Sequence, residues 1–342
     1  MQHELVHIAS VLAVGSALVA PATGQRPIHP SPVPIFRSGD LVLATRSLPT
    51  ACPPAPIVEG IILVTPTTGR KILLRDDLRF NRTFNARFDP YRERLIMRCE
   101  PDMEVGGLYG FAADGSYELL VPDGFTCAPV GDGRIYFVRE LPEQIRYLDG
   151  RGGLHVLLDE SGSAPFVPPC IAQGFNDLLF DPGTNALFGV SSIDFCFCDR
   201  EPTGQRIACL WKIPLSPRGD RVSGPTLSIA VDSTPMEENS GNSLSPGPDG
   251  QILLLMGTSG HSPSLQLVDP VRLNVRTFAS PSPGGVRASV FSHLLDKAVI
   301  LDTLTDVLRG YSDGGGGLGT IVATCVSGPA GCCEAANMCE IP

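Results

Sequence analysis

The first pattern with a known chemistry stands at the amino end, where His3, Glu4 and His7 form H-E-x-x-H. In zinc proteases the two histidines bind the metal from one helical turn, and the glutamate acts as the general base. Such a site needs a structured helix and a further ligand. Here the pattern leads directly into an apolar run at 8–20, which is typical of a secretion signal. We therefore interpret the pattern as a chance match.

A glycine-rich stretch at 314–319 contains G-x-G-x-x-G, the arrangement that holds a pyrophosphate at the start of a helix. The residues after Gly319, "TIVATC", have the composition of a strand rather than a helix. The stretch therefore predicts a hairpin turn and no dinucleotide site. The sequence has neither the G-x-S-x-G motif of serine hydrolases nor the phosphate loop G-x-x-x-x-G-K-[ST].

Polar side chains stand at the starts of several short apolar segments. They are Asn85, Asn176, Asp177, Asn242 and Arg287. Amide and carboxylate oxygens are hard ligands that suit Ca²⁺ or hydrogen bonding of a polar ligand. Each residue taken alone has an alternative role, because Asn and Asp also favour turns and strand ends. As a set they predict a ligand-binding site, with Asn176 and Asn242 as metal ligands.

Further candidates for a catalytic base lie in two loops. The acidic stretch "VDSTPMEENSGN" at 231–242 offers Glu237 and Glu238, and "GTSGHSPS" offers His261. A solvated loop and an exposed turn histidine are the structural alternatives. Together with Asp177, these three residues are the catalytic candidates of the sequence.

The elements that position these residues follow from a repeated two-part unit. Its first part is an apolar strand, found at 39–46, 92–99, 133–140, 185–192, 250–257 and 296–303. Its second part is a hairpin that turns on Gly, Asp or Pro. A short segment precedes four of the first strands, at 84–90, 175–182, 241–249 and 287–293. The unit therefore has four strands.

Six four-stranded units predict an all-β fold, a six-bladed β-propeller of four-stranded antiparallel blades. Each blade would cover the apolar faces of its neighbours, and "VPIF" at 33–36 would add a strand to the last sheet and close the ring. A pair of β-sandwiches is the rival architecture. In a propeller the starts of the inner segments converge on the axis, so the polar set would meet there.

The segment "FNDLLFDPGTNALFGVS" at 175–191 resembles a blade of the SMP-30/gluconolactonase family, and more loosely a blade of NHL-type propellers. The resemblance implies a calcium-dependent lactone hydrolase with Asn176 and Asp177 in its active-site region and Asn242 on calcium. The acidic residues of the family's first and last blades have no counterpart near Pro34–Phe36 and Ala288–Ser289. A calcium shell lacking two carboxylates holds the ion weakly.

Composition limits the classes of partner. The chain has 342 residues, 43% hydrophobic and 18% charged, with a net charge of −10 and no cluster of Lys and Arg. We therefore expect a folded protein that binds neither nucleic acid nor an anionic membrane. Only Lys71, Lys212 and Lys297 are lysines, a bias that suggests a bacterial genome.

Eleven cysteines, many of them clustered at 196–209 and 325–339, predict disulfides and a secreted or periplasmic location. Because the total is odd, at least one cysteine is left out of the intramolecular disulfides. Zinc binding is the alternative to disulfides. We divide the chain into a signal peptide at 1–24, a Pro-rich linker at 25–32, the propeller at 33–324 and a Cys-rich tail at 325–342. The apolar run is too short to span a membrane, and we expect a monomer.

Two functions remain open on these residues. The first is a secreted propeller that binds a small polar ligand, or a protein or glycan partner, on its axial face. The second is a hydrolase or lyase of the lactonase type that acts at the axis with Ca²⁺. The fold alone does not choose between them, because propellers host both activities.

Overall fold

The computed structural model describes the chain in twelve ranges. These are residues 36–47, 60–75, 86–99, 106–139, 144–159, 175–191, 208–232, 243–256, 263–282, 288–302, 307–324 and 333–342. Within them 25 strands and one 3₁₀ turn, at Pro248–Gly250, form six sheets around a common axis. The predicted six-bladed β-propeller is therefore confirmed. The part of the chain that the structure describes has no helix long and apolar enough to span a bilayer.

The strands are numbered in chain order. They are β1 (Leu41–Ser47), β2 (Gly60–Thr65), β3 (Arg70–Arg75), β4 (Ala86–Asp89), β5 (Arg94–Cys99), β6 (Gly107–Phe111), β7 (Tyr117–Pro122), β8 (Gly124–Pro129), β9 (Ile135–Arg139), β10 (Gln144–Leu148), β11 (Leu154–Leu158), β12 (Phe175–Asp181), β13 (Ala186–Ser191), β14 (Ala208–Pro214), β15 (Leu227–Asp232), β16 (Ser243–Pro246), β17 (Ile252–Met256), β18 (Ser264–Val268), β19 (Val275–Pro281), β20 (Ser289–Ser292), β21 (Lys297–Asp302), β22 (Val307–Tyr311), β23 (Gly315–Gly317), β24 (Thr320–Thr324) and β25 (Cys333–Glu340).

Each blade is a sheet whose strands run from the axis outwards. From blade 1 to blade 6 the orders are β25-β1-β2-β3, β4-β5-β6-β7, β8-β9-β10-β11, β12-β13-β14-β15, β16-β17-β18-β19-β23 and β20-β21-β22-β24. The six innermost strands contact one another in turn around the axis and so form a closed ring. The sequence located four of these inner strands and missed β8 and β25.

Among the described residues the ring is closed by β25, whereas the prediction assigned this strand to residues 33–36. Of that segment the structure describes Phe36 alone, which lies outside any strand. β25 pairs antiparallel with β1, from Leu41 opposite Glu340 to Ser47 opposite Cys333. The segment predicted as a separate Cys-rich tail therefore supplies the inner strand of blade 1. Its Met338 and Cys339 side chains are buried, and this apolar contact holds the strand in place.

The core consists of six buried clusters, one between each pair of neighbouring blades. β17 shows why the first strands of the repeat are continuous apolar runs. Ile252 and Leu254 face blade 4, whereas Leu253 and Leu255 face blade 6. Successive side chains of a strand point to opposite faces, so a strand between two neighbours must be apolar at every position. Trp211 packs between blades 3 and 4.

The two ends of the ring differ in their connections. At the end where the inner strands finish, most connections are tight turns, with left-handed residues such as Glu93, Asn185 and Asp296 just before the next strand. The connection between β14 and β15, at 215–226, is longer. At the opposite end, where the inner strands begin, β7 and β8 are joined by the single residue Asp123. Every other connection at this end includes residues outside the described ranges. We call these the turn end and the loop end.

The glycine-rich stretch forms the turn between β22 and β24, as predicted, and a strand follows it. Gly319 has a φ of 63°, and a Cβ there would lie 2.7 Å from the Tyr311 ring, so only glycine fits. The stretch also has a role that the sequence did not indicate. Its β23 pairs in parallel with β19 and extends blade 5 by a fifth strand.

Candidate functional site

The structure places two of the predicted site residues, Asn176 and Asp177, on β12 at the loop end of the axis. Asn176 is partly exposed and Asp177 is fully buried. The other predicted residues lie outside the described ranges. They are Asn85, Glu237, Glu238, Asn242, His261 and Arg287. Asn85 and Asn242 directly precede β4 and β16, so the sequence identified the correct ends of those inner strands.

Asp177 is the centre of a hydrogen-bonded group that crosses the axis. Its Oδ1 accepts bonds from Nη2 of Arg87 at 2.8 Å and from the amide of Leu178 at 2.5 Å. Its Oδ2 accepts the amide of Leu244 at 2.6 Å. Arg87 comes from blade 2, Asp177 from blade 4 and Leu244 from blade 5. The carboxylate therefore links three blades. We call Arg87 and Asp177 together the axial ion pair.

Arg87 completes the group from the other side. Its Nη2 also donates to the carbonyl oxygen of Leu244 at 2.8 Å and to that of Leu178 at 3.3 Å. An inner strand has a hydrogen-bonded neighbour on one edge only, so its other edge presents free N–H and C=O groups to the axis. A buried backbone group without a partner costs about 1–3 kcal/mol. The axial ion pair provides hydrogen-bond partners for such backbone groups of β12 and β16.

Burial makes the pair interdependent. The Arg87 side chain is 9% exposed and that of Asp177 is 0% exposed, so both charges are removed from water. A buried charge is tolerated when an opposite charge and hydrogen bonds compensate it. Within the described residues Nε of Arg87 has no hydrogen-bond partner. Asp177 thus has a structural role in this arrangement, and its predicted catalytic role stays a prediction.

Two thiols lie in the electrostatic surroundings of Arg87. Burial raises the pKa of Cys127 to about 12, although the nearby charge of Arg87 lowers it. Burial likewise raises the pKa of Cys339 to about 12, against the effect of Arg87. A thiol with such a pKa is neutral at physiological pH and a poor nucleophile or metal ligand. These two cysteines therefore belong to the core, where the structure has them as free thiols.

Small hydroxyl side chains surround the axis beside the ion pair. Ser243 and Ser245 of β16 and Ser289 of β20 are buried. Oγ of Ser243 accepts the amide of Ser289 at 3.2 Å. Oγ of Ser245 has no partner among the described residues. The sequence indicated neither these serines nor Arg87 as site residues. The arginine inside the short inner segment "FNARFDP" was the available signal for Arg87.

The described residues fit a calcium ion poorly. They contain no group of three or more His, Cys, Asp or Glu side chains that could hold a metal. A cation on Asp177 would share that carboxylate with the Arg87 guanidinium. Two like unit charges about 4 Å apart repel by about 4 kcal/mol at an effective dielectric constant of about 20. Asp177, which the resemblance places in the active-site region, is thus already paired with another cation.

Comparison with known proteins places the fold. No family model matches the sequence, and no curated protein matches it. TolB from Acinetobacter baumannii is similar at a TM-score of 0.53 and 13% identity, over 80% of this chain and 61% of TolB. A chain of a nidogen/laminin complex is similar at 0.56 and 10%, over 89% and 98% of the two chains. The likeness establishes the fold alone.

The comparison also includes the class of protein that the sequence resembled. A putative gluconolactonase is similar at a TM-score of 0.42 and 14% identity, over 89% of this chain and 87% of that protein. Such proteins are therefore among the structural neighbours of this six-bladed propeller.

Proposed function

We propose that this protein binds an extracytoplasmic partner, a protein, glycan or small polar ligand, at the loop end of its propeller. The axial ion pair is the observation that carries this proposal. It occupies the position from which Asp177 would have to hold a metal or accept a proton in the lactonase-like alternative. Three donors hold the Asp177 carboxylate, so a role as a base would compete with those bonds.

The difference between the two ends supports the loop end as the binding surface. The turn end is built mostly from short turns whose polar groups satisfy one another, as Asp269 does for the amides of Val271 and Arg272. Most of the longer connections join strand ends at the loop end, and the connection between β14 and β15 at 215–226 is an exception at the turn end. Binding residues are commonly carried by such connections on a rigid scaffold. The nidogen/laminin complex is an instance of this fold taking part in protein recognition.

The alternative is a calcium-dependent hydrolase or lyase at the same axis. It is favoured by the blade resemblance and by the position of Asn176 at the start of β12. The two functions differ in their response to Ca²⁺, because an ion that binds the folded state alone raises the melting temperature. We expect no shift at millimolar Ca²⁺.

The deciding experiment combines three measurements on the full chain. They are a thermal melt with and without Ca²⁺, turnover of a lactone and ester panel, and binding to glycan and protein arrays. We expect saturable binding without turnover. Asn176→Ala should weaken that binding at least tenfold, whereas Asn274→Ala, the same change on an exposed turn-end residue, should leave it unchanged. Calcium-dependent turnover that Asn176→Ala abolishes would establish the hydrolase instead.

A further inference from the structure

Three arginines gather at the interface of blades 2 and 3, although the chain as a whole carries a net charge of −10. They are Arg98 at the end of β5, Arg139 at the end of β9 and Arg146 on β10. The ends of β5 and β9 and the start of β10 all lie at the loop end. We call this group the basic cleft.

The strand register places the three side chains in one cleft. Arg139 lies opposite Gln144, and Phe137 lies opposite Arg146, so all four side chains share one face of blade 3. Phe137 belongs to the core cluster between blades 2 and 3. Ile96 of β5 belongs to the same cluster, and Arg98 follows it on the same face of blade 2.

The arginines of blade 3 have unused donors. Nη2 of Arg139 lies 3.8 Å from Oδ2 of Asp123, beyond hydrogen-bond distance, and Arg139 donates no hydrogen bond to a described residue. Nε of Arg146 donates to Oε1 of Gln144 at 2.6 Å, its one hydrogen bond to the described chain. Arg98 is already partnered and stacks over the Phe125 ring at 4.8 Å.

The electrostatics of this arrangement favour an added anion. Burial and then the charge of Arg139 lower the pKa of Arg146, so the two guanidinium groups act on each other unfavourably. The Asp123 carboxylate is 61% exposed and compensates the pair weakly. An oxyanion between two guanidinium groups would accept paired, charge-assisted hydrogen bonds from both.

We propose that the basic cleft binds the oxyanion of an extracytoplasmic ligand, a sulfate, phosphate or carboxylate group, through Arg139 and Arg146. Gln144 positions Arg146 by holding its Nε, which leaves the Nη groups for the anion. The site lies between two blades and not on the axis. It lies on the loop end that the proposed function assigns to a partner, and substitutions at Arg139 and Arg146 test it separately from Asn176→Ala.

The test uses thermal melting and calorimetric titration with sodium sulfate, inorganic phosphate and glucuronate, each against sodium chloride at equal ionic strength. We expect at least one oxyanion to raise the melting temperature by several degrees and to bind saturably. Arg139→Gln and Arg146→Gln should each weaken that binding at least tenfold. Arg151→Gln removes the same charge from an exposed position at the turn end of blade 3 and should bind like the wild type.

Two outcomes would overturn the site. One is equal binding by the wild type and the Arg139→Gln and Arg146→Gln variants. The other is no response of the wild type to any of the three anions beyond that of chloride. Because Arg139 is 29% exposed, we expect the Arg139→Gln variant to fold even if the Arg146→Gln variant does not. A sulfated or uronic-acid oligosaccharide that binds at least tenfold more tightly than the matching free ion would identify a glycan as the source of the anion.

Discussion

At the scale of single residues, the axial ion pair shows how chemistry and architecture compete for the same side chain. Asp177 has the residue type, the position and the sequence context of a catalytic or calcium-binding group. Its three bonds to Arg87, Leu178 and Leu244 are instead those of a structural acceptor. Sequence could not distinguish these roles, because the deciding partner, Arg87, comes from a different blade.

Removal of one member of the axial ion pair should destabilise the protein strongly. We expect Arg87→Met or Asp177→Leu to reduce the free energy of unfolding by about 3–5 kcal/mol, because each leaves a buried charge uncompensated. The double variant should be more stable than either single variant. Urea unfolding followed by circular dichroism measures all three.

The control for this prediction is an exposed ion pair. Arg276 and Asp313 form two bonds of 2.8 Å, with side chains 49% and 56% exposed. Arg276→Met should therefore cost about 1 kcal/mol or less. Equal losses for Arg87→Met and Arg276→Met would contradict the structural role of the axial pair.

Asp149 should titrate far below an ordinary carboxyl group. His155 and the amides of Gly153 and Arg151 hold the pKa of this exposed aspartate down to about 2. A lowered pKa in the folded state stabilises the protein above the unfolded value of about 3.8, and the effect is lost as the pH falls through about 2. Carboxyl NMR titration should show this midpoint, and His155→Ala should move it upwards. A midpoint near 3.8 in the wild type would contradict the hydrogen bonds described.

At the scale of elements, the sequence predicted the first strand of every repeat unit because its apolar run and flanking turns are strong local signals. It missed the inner strands β8 and β25, whose sequences "GFTCAP" and "CEAANMCE" are weakly apolar. Such strands are defined by their neighbours across the ring and not by their own composition. Tertiary context overrides β propensity at these positions.

The junction of blades 6 and 1 should depend on one carboxylate. Glu340 accepts bonds from the amide of His293 at 3.1 Å and from Nδ1 of its ring at 2.7 Å, and so ties β25 to the turn after β20. We expect Glu340→Ala to reduce the free energy of unfolding by about 1–3 kcal/mol. Glu118→Ala, which removes an exposed glutamate on β7, is the control and should cost much less. Thermal or urea unfolding measures both.

At the scale of the whole molecule, the cysteines divide by position. Cys99, Cys127 and Cys339 are buried within the blades. Six of the other eight fall in connections outside the described ranges, and Cys209 and Cys333 stand at the starts of β14 and β25. All of these connections join strand ends at the loop end. The predicted disulfides, if formed, would therefore cross-link that end alone.

Mass spectrometry after blocking of free thiols tests this division. We expect Cys99, Cys127 and Cys339 to be reduced and to react only after denaturation, because each is buried and the pKa of the latter two is about 12. The remaining eight cysteines should form up to four disulfides. Rapid alkylation of Cys127 in the native protein would contradict its burial. Eight free thiols at the loop end would refute the oxidising compartment.

The placement of β25 has a consequence for how the protein is made. Leu41 and Glu340 are partners in one ladder, so blade 1 cannot acquire its innermost strand until the ribosome has translated residue 340. A nascent chain therefore carries an incomplete first sheet throughout synthesis, with the edge of β1 unprotected. In a cell that exports this chain, the chain would stay unfolded until its translocation is complete. The pairing of β25 with β1 would then close the propeller after translocation.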